Sequence, residues 1–200
     1  MTPTLPTTLE WLGRERRLAV RLRHVLPLQD RNALFRAAVS ERNYYVDAST
    51  GGADDHRRAR VHYTTVEEAD EVVTRVRELA LWAAVGLNVD LPNVARVERQ
   101  LTVHLEGGFY RPHRDNQGEE ACRRALSYVY FFHGVPRWTG GQLVLEDNER
   151  VTIEPEDNSL VLFDSGLNHW VCPVVASMPL AFEEGRFTIN GWLWRDPPTP

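Results

Sequence analysis

The strongest constraint on this 200-residue chain is a change of hydrophobic period near residue 97. Upstream, apolar residues recur at helical spacing; downstream, short β-branched and aromatic runs alternate with Gly, Pro and Asn. The downstream runs predict strands near 97–105, 109–113, 125–133, 142–146, 150–153, 159–164, 169–174 and 186–194. Turns fall between them, as at Glu106-Gly-Gly108 and Glu156-Asp-Asn158. Strands this short and this closely spaced predict two packed sheets, a jelly roll or a sandwich. Upstream, Thr65-Val-Glu-Glu68 has the capping-box pattern and opens a helix carrying Val72, Val73, Val76, Leu79, Ala80 and Ala83. It should stop near Gly86-Leu-Asn88. Two further helices are predicted over about 9–23 and 29–41, so the class is mainly β with flanking helices bracing one outer sheet face.

Length and composition predict one compact domain over 1–200, with a mainly helical support (1–96), a β core (97–195) and Pro/Thr-rich tails at 1–9 and 196–200. Residues 49–60, with Gly51, Gly52 and a run of charges, have no periodic pattern and are a mobile-loop candidate. All 23 basic residues are arginine, which removes Schiff-base chemistry and leaves any anion site to a guanidinium. Neither half is strongly basic, so nucleic acid is not the expected partner. No apolar stretch reaches membrane-span length, and two cysteines, Cys122 and Cys172, are too few for a disulfide scaffold, so a cytoplasmic address is expected.

The histidines direct attention to metal or proton chemistry. In extended chain a period of two puts His113 and Asp115 on one side, and His169, at the start of another strand, supplies a third ligand. Two neutral imidazoles and a carboxylate form a facial triad that leaves three positions of an octahedral iron(II) open for dioxygen and a co-substrate. The His-x-Asp pair alone is weak, since composition gives it ~0.4 occurrences by chance. Its context is specific. Leu101-Thr-Val-His-Leu-Glu-Gly-Gly-Phe-Tyr110-Arg-Pro-His113-Arg-Asp115 precedes Ala125-Leu-Ser-Tyr-Val-Tyr-Phe-Phe-His133 and Thr139-Gly-Gly-Gln-Leu143. Then come Ser159-Leu-Val-Leu-Phe163, His169-Trp-Val-Cys-Pro-Val174 and Gly185-Arg-Phe-Thr-Ile-Asn-Gly-Trp192.

This ordered series, over about residues 97–195, resembles the iron(II)- and 2-oxoglutarate-dependent dioxygenases of the prolyl 4-hydroxylase-like branch. The resemblance implies a double-stranded β-helix, a distorted jelly roll, with N-terminal helices packed on its major sheet. It makes His113, Asp115 and His169 the iron ligands and Arg186 the anchor of the distal 2-oxoglutarate carboxylate. A buried dianion needs a charge partner, and a guanidinium binds carboxylate through two parallel hydrogen bonds. Strand alternation puts Thr188, Asn190 and Trp192 on the face of Arg186. Tyr110 stands where related enzymes place a pocket phenol. His104 and Phe131 stand where tyrosine is common, so Asn190, Thr188 or Ser127 become candidate co-substrate contacts, with Val171 as an apolar wall. Trp192, His104 and Arg111 are the substrate-side candidates.

The implied cofactor and co-substrates are Fe(II), 2-oxoglutarate and O2, and the implied reaction is hydroxylation of an unactivated C–H bond with succinate and CO2 as co-products. The expected substrate is an amino acid, peptide or related small metabolite. A prolyl or other residue on a protein is the alternative, and a non-catalytic jelly-roll metal-binding or ligand-sensing protein is a third reading. Asp115 argues against halogenation, because related halogenases lack this carboxylate.

Overall fold

The computed structural model describes residues 8–48, 56–64 and 66–196. Thr65, on which the expected capping box rests, and positions 49–55 of the expected mobile loop lie outside the described residues. In chain order the first elements are β1 (Thr8–Leu12), β2 (Ala19–Arg23), α1 (Leu28–Ser40), β3 (Val46–Asp47), β4 (Arg57–Arg58), β5 (Arg60–His62) and α2 (Asp70–Leu87). The β-rich part follows: β6 (Arg96–Val97), β7 (Gln100–His104), β8 (Phe109–His113), β9 (Arg124–Phe131), β10 (Thr139–Gly140), β11 (Leu143–Glu146) and β12 (Arg150–Ile153). The last are β13 (Ser159–Asp164), β14 (Asn168–Val171), β15 (Val174–Val175) and β16 (Arg186–Trp194).

Two antiparallel sheets face each other. The major sheet runs β1-β2-β13-β9-β16-β7-β5-β3 with β6 pairing β16, the minor sheet runs β12-β11-β14-β8-β4, and β10 pairs β15. The two-residue period sorts side chains between an outer and an inner layer. On β16, Phe187, Ile189 and Leu193 join the core beneath the helices; on β9, Leu126, Tyr128 and Tyr130 do the same, with Phe132 just past its end. The alternate residues point between the sheets, where Phe131, Val161 and Phe163 meet Leu143, Leu145 and Ile153 of the minor sheet. Both helices lie against the major sheet through Leu34, Ala38, Val72, Val76, Ala80 and Ala83, all buried. α2 ends at Asn88, whose left-handed φ of 57° forms the C-cap, as the Gly86-Leu-Asn88 stop signal predicts.

The predicted helix over 9–23 is instead the β1–β2 hairpin, in register from Thr8↔Arg23 to Leu12↔Ala19. Gly13, at φ 113°, takes a backbone conformation that breaks a helix there. Pairing of β2 with β13 then buries Ala19, Val20 and Leu22, while Arg21 and Arg23 bond to Glu10 on β1. The alternation in Leu18-Ala-Val-Arg-Leu-Arg23 was the strand signal. Residues 56–60 likewise differ from the loop expectation: β4 pairs with β8 and β5 with β7.

Asn158 ties the segment between β2 and α1 to the major sheet. Its Oδ1 accepts from the Leu26 N–H (3.0 Å) and the Tyr130 hydroxyl (2.8 Å), and its Nδ2 donates to the Leu26 carbonyl (2.8 Å). Its φ of 56° is one that asparagine tolerates better than most side chains. Asn158→Ala strands buried donors and an acceptor, each costing about 1–3 kcal/mol. We expect a loss of about 2–4 kcal/mol in urea unfolding; a variant within 0.5 kcal/mol of the parent, about the limit for an unremarkable surface change, contradicts this role.

Candidate active site

The inner faces of the two sheets leave a cavity of about 730 Å³. β8 and β14 pair with His169 opposite His113 and Val171 opposite Tyr110. Arg111 and Pro112 of β8 therefore oppose the single residue Trp170 of β14, a bulge that accommodates one extra residue. Strict alternation would put Arg111 beside His113 and send Tyr110 to the other face. With the bulge, Tyr110 instead stacks on the His113 ring, centroids 3.6 Å apart and planes at 21°. Arg111 is exposed, its guanidinium 5.4 Å from the Phe109 ring centroid, and it is not among the cavity's lining residues. Arg111, one of the substrate-side candidates, thus lies outside the lining formed by the described residues.

His113, Asp115 and His169 converge, one ligand atom from each lying within 4.8 Å of the others. His113 Nε2 is 3.5 Å from Asp115 Oδ1, and His169 Nε2 is 3.3 Å from Asp115 Oδ2. The backbone sets both tautomers: His113 Nδ1 donates to the Arg111 carbonyl (2.8 Å) and His169 Nδ1 to the Leu167 carbonyl (2.9 Å). Each Nε2 lone pair is thereby turned toward the shared centre, the arrangement by which outer partners orient metal-binding imidazoles. Asp115 is fixed as well. Its Oδ2 accepts from the Ser127 hydroxyl (2.6 Å), which touches Ser165 Oγ at 2.9 Å, and its own N–H donates to the Ser165 carbonyl. Ser127 thus hydrogen-bonds the Asp115 carboxylate while it also lines the cavity.

Without a metal, the Asp115 carboxylate is the charge that both imidazoles face. Burial opposes charge on Asp115, but His169 and His113 hold its carboxyl well below the ordinary aspartate value. Burial lowers the proton affinity of His113, partly offset by its bond to Asp115. For His169, burial is outweighed by the Asp115 charge, leaving it above the ordinary histidine value. Two neutral nitrogen donors and a carboxylate are what iron(II) takes in a facial triad, and the residues present fit that ion.

Across the cavity, β16 brings Arg186, Thr188, Asn190 and Trp192 to the lining, as its alternation predicts. Arg186 is 1% exposed and, among the described residues, has no carboxylate within ion-pair distance. Its Nε donates to the Gly141 carbonyl (2.6 Å), and its guanidinium carbon lies 5.0 Å from the Phe131 ring centroid. Burial pulls its proton affinity down to about 9, which leaves it a cation at neutral pH. A buried cation without a counter-charge is poised for an anion. Gly141 holds it in place, at φ 68° and so close that a Cβ would lie 2.7 Å from Arg186 Cδ. Gly141→Ala should therefore weaken 2-oxoglutarate binding severalfold while iron binding is kept, measured by titration of each; unchanged 2-oxoglutarate affinity would show that the guanidinium is not held through this contact.

His104 lines the same cavity, as do Val171 and Tyr110. Thr102 donates to Asn190 Oδ1 (2.8 Å), and Thr188 does so at 3.4 Å, so the Asn190 carbonyl is already engaged. His133 is structural, with its ring nitrogens at 2.8 Å and 2.7 Å from the Gly134 and Pro155 carbonyls. Sequence reasoning missed His56, Arg57, Tyr63 and Arg99, all of which line the cavity. Arg57 lies over the Tyr110 ring at 4.8 Å and donates to Thr102 Oγ1 at 3.3 Å. Arg124 lies 3.7 Å over the Trp192 ring and bonds to Glu98 and the Asp115 carbonyl.

A double-stranded β-helix that presents two histidines and a carboxylate beside a buried arginine defines the architecture of a non-haem iron(II) oxygenase. The sequence pattern of the 2OG-Fe(II) oxygenase superfamily, whose members use Fe(II), 2-oxoglutarate and O2, matches residues 99–194. An uncharacterized PKHD-type hydroxylase of Synechocystis is 30% identical over 187 residues, covering 86% of this chain and 61% of that protein. The chain thus spans about three-fifths of the length of the curated relative it matches. A prolyl-4-hydroxylase of Pseudomonas putida superposes with a TM-score of 0.67 at 23% identity, covering 90% of this chain and 93% of that one. A viral collagen prolyl hydroxylase of Paramecium bursaria Chlorella virus-1, solved with 2-oxoglutarate, gives 0.63 at 15% identity, covering 91% and 98%. At these identities the two structures establish the shared fold. Among the described residues no helix is long and apolar enough to cross a membrane.

Proposed function

We propose that this chain is an iron(II)- and 2-oxoglutarate-dependent dioxygenase that hydroxylates an unactivated C–H bond of an amino acid, peptide or related small metabolite. The observation that carries the reading is the convergence of His113, Asp115 and His169 in the cavity that also receives the unpaired cation Arg186. Bound iron(II), with 2-oxoglutarate and O2, supplies the oxidising power for C–H hydroxylation and leaves succinate and CO2 as co-products. The protein's own part is positional. Ser127 and two backbone carbonyls hold the ligand atoms, Gly141 aims Arg186 at an anion, and Tyr110 closes one side of His113. Trp192, with Arg124 over its face, forms part of the wall facing an incoming substrate.

A second reading, hydroxylation of a prolyl or other residue on a protein, is favoured by the prolyl hydroxylase descriptions of the superposed structures. Succinate formation from 2-oxoglutarate, followed by mass spectrometry across free amino acids and peptides containing the same residues, tests both. Iron-dependent succinate with a +16 Da product on free amino acids supports the first; the same product confined to peptides supports the second. No iron-dependent succinate under any condition removes both.

A further inference from the structure

A second pocket, of about 450 Å³, opens where the end of α1 meets the end of β5 and the short 3-10 helix Glu67–Ala69. Its size is that of a small-molecule site, about 300–1,000 Å³, and it shares no lining residue with the catalytic cavity. Glu41, Glu67 and Glu68 line it, and no arginine does. Among the described residues none of these carboxylates lies within ion-pair distance of an arginine, in a chain that has 23 of them. The pocket is therefore a concentration of unanswered negative charge. His62, 5% exposed, is also part of its wall. The His62 ring runs nearly parallel to Tyr44, planes at 18° and centroids 5.9 Å apart, and packs against Tyr45 at 5.4 Å. Among the described residues neither of its ring nitrogens makes a hydrogen bond; the Glu41 carboxylate stands 3.9 Å from Nε2, too far for one. The buried hydroxyl of Tyr45 has no partner among the described residues either. Buried polar groups are ordinarily satisfied, so a histidine left without a bond in the wall of an acidic pocket points to a group that comes from outside.

We propose that this pocket binds a small organic cation carrying a guanidinium group, seated between Glu41, His62 and the ring of Tyr44. A donor nitrogen placed in the gap between His62 Nε2 and the Glu41 carboxylate meets both acceptors. A guanidinium suits the site better than an ammonium. Its planar face stacks on an aromatic ring, here that of Tyr44, 66% exposed, while its fork reaches a carboxylate through two bonds. A bare divalent metal ion suits it less, because among the described residues only His113, Asp115 and His169 converge closely enough to hold one. Glu67 and Glu68 instead supply longer-range attraction at the rim. The site stands apart from the catalytic reading: Tyr63 lines the catalytic cavity while His62, its neighbour in sequence, lines this pocket. The cation and 2-oxoglutarate therefore bind at the same time.

The test is titration of n-propylguanidine into the isotope-labelled, Zn(II)-loaded protein with 2-oxoglutarate present, followed by amide NMR. The amides of Glu41, Tyr44 and His62 should move saturably while those of Asp115 and Arg186 stay in place. The neutral isostere n-propylurea should bind at least about tenfold more weakly, as should n-propylguanidine to Glu41→Gln, which keeps the shape of the side chain and loses its charge. Tyr44→Ala should weaken binding about two- to fivefold through loss of the ring face. Both substituted side chains are at the surface, and the Glu41 carboxylate makes no hydrogen bond among the described residues, so the variants should unfold at the parent temperature. Equal binding of n-propylurea, unaltered affinity in Glu41→Gln, or shifts confined to the catalytic cavity each overturn the proposal. Tighter binding of n-butylammonium than of n-propylguanidine overturns the guanidinium assignment.

Discussion

Asp115→Ala and His113→Ala are expected to abolish 2-oxoglutarate-dependent succinate formation, to below one-thousandth of the parent rate, and to abolish tight iron(II) binding. Each change removes one of three protein ligands, and the remaining pair does not fix a facial set. Asp115→Ala has the larger effect because Asp115 lies against both imidazoles, 3.5 Å and 3.3 Å from them. It also leaves the Ser127 hydroxyl without the carboxylate it serves. Ser127→Ala provides a graded control: the triad remains but Asp115 loses one orienting bond. Loss of an outer-shell partner typically costs about 10–100-fold in metal affinity or activity, well short of losing the ligand. Succinate assays and iron titration on the three variants check the order. Parent-level turnover in His113→Ala or Asp115→Ala would falsify the assignment of the centre.

Arg186→Met produces the second large effect, and it should separate binding from folding. With no carboxylate within ion-pair distance among the described residues, the guanidinium is a desolvated charge in the ligand-free protein. Replacing a buried charge with a hydrophobic side chain of similar volume is often neutral or stabilising, so the thermal midpoint of Arg186→Met should equal or exceed that of the parent. Affinity for 2-oxoglutarate should nevertheless fall by about 100-fold or more, since removing one partner of a buried charge pair costs about 2–5 kcal/mol. Iron affinity should be unchanged. Arg186→Lys should rescue binding only in part, because an ammonium lacks the planar fork that meets a carboxylate through two bonds. Midpoints by calorimetry and affinities by titration give the comparison. A large destabilisation with unaltered 2-oxoglutarate affinity would make Arg186 a structural residue.

The β core and the chemistry were legible in the sequence because both are written at period two. His113 and Asp115 flank one residue on a strand end, Arg186, Thr188, Asn190 and Trp192 alternate along another, and the intervening glycine and asparagine turns mark the ends of each run. The misreadings have physical causes of the same kind. In 9–23, alternating arginine and aliphatic residues suit a helix face as well as a strand, and pairing of β2 with β13, which lies far along the chain, decides the outcome. Arg57, in β4, and Tyr63, just past β5, were hidden because these strands are two and three residues long, too short to show any period. Arg111 was misplaced because the extra residue of the β8 bulge changes which side chains face inward, and a bulge is set by the pairing partner. His104 showed only as a departure from the tyrosine common at that position.

The central claim is that one cavity holds iron(II) through His113, Asp115 and His169 and a 2-oxo acid through Arg186. Anaerobic addition of iron(II) and then 2-oxoglutarate, followed by visible absorption, tests it most directly. A metal-to-ligand charge-transfer band should appear only when both are present, be absent in His113→Ala, and require far higher 2-oxoglutarate in Arg186→Met. A spectrum that 2-oxoglutarate leaves unchanged, in protein shown to have bound iron, would contradict it.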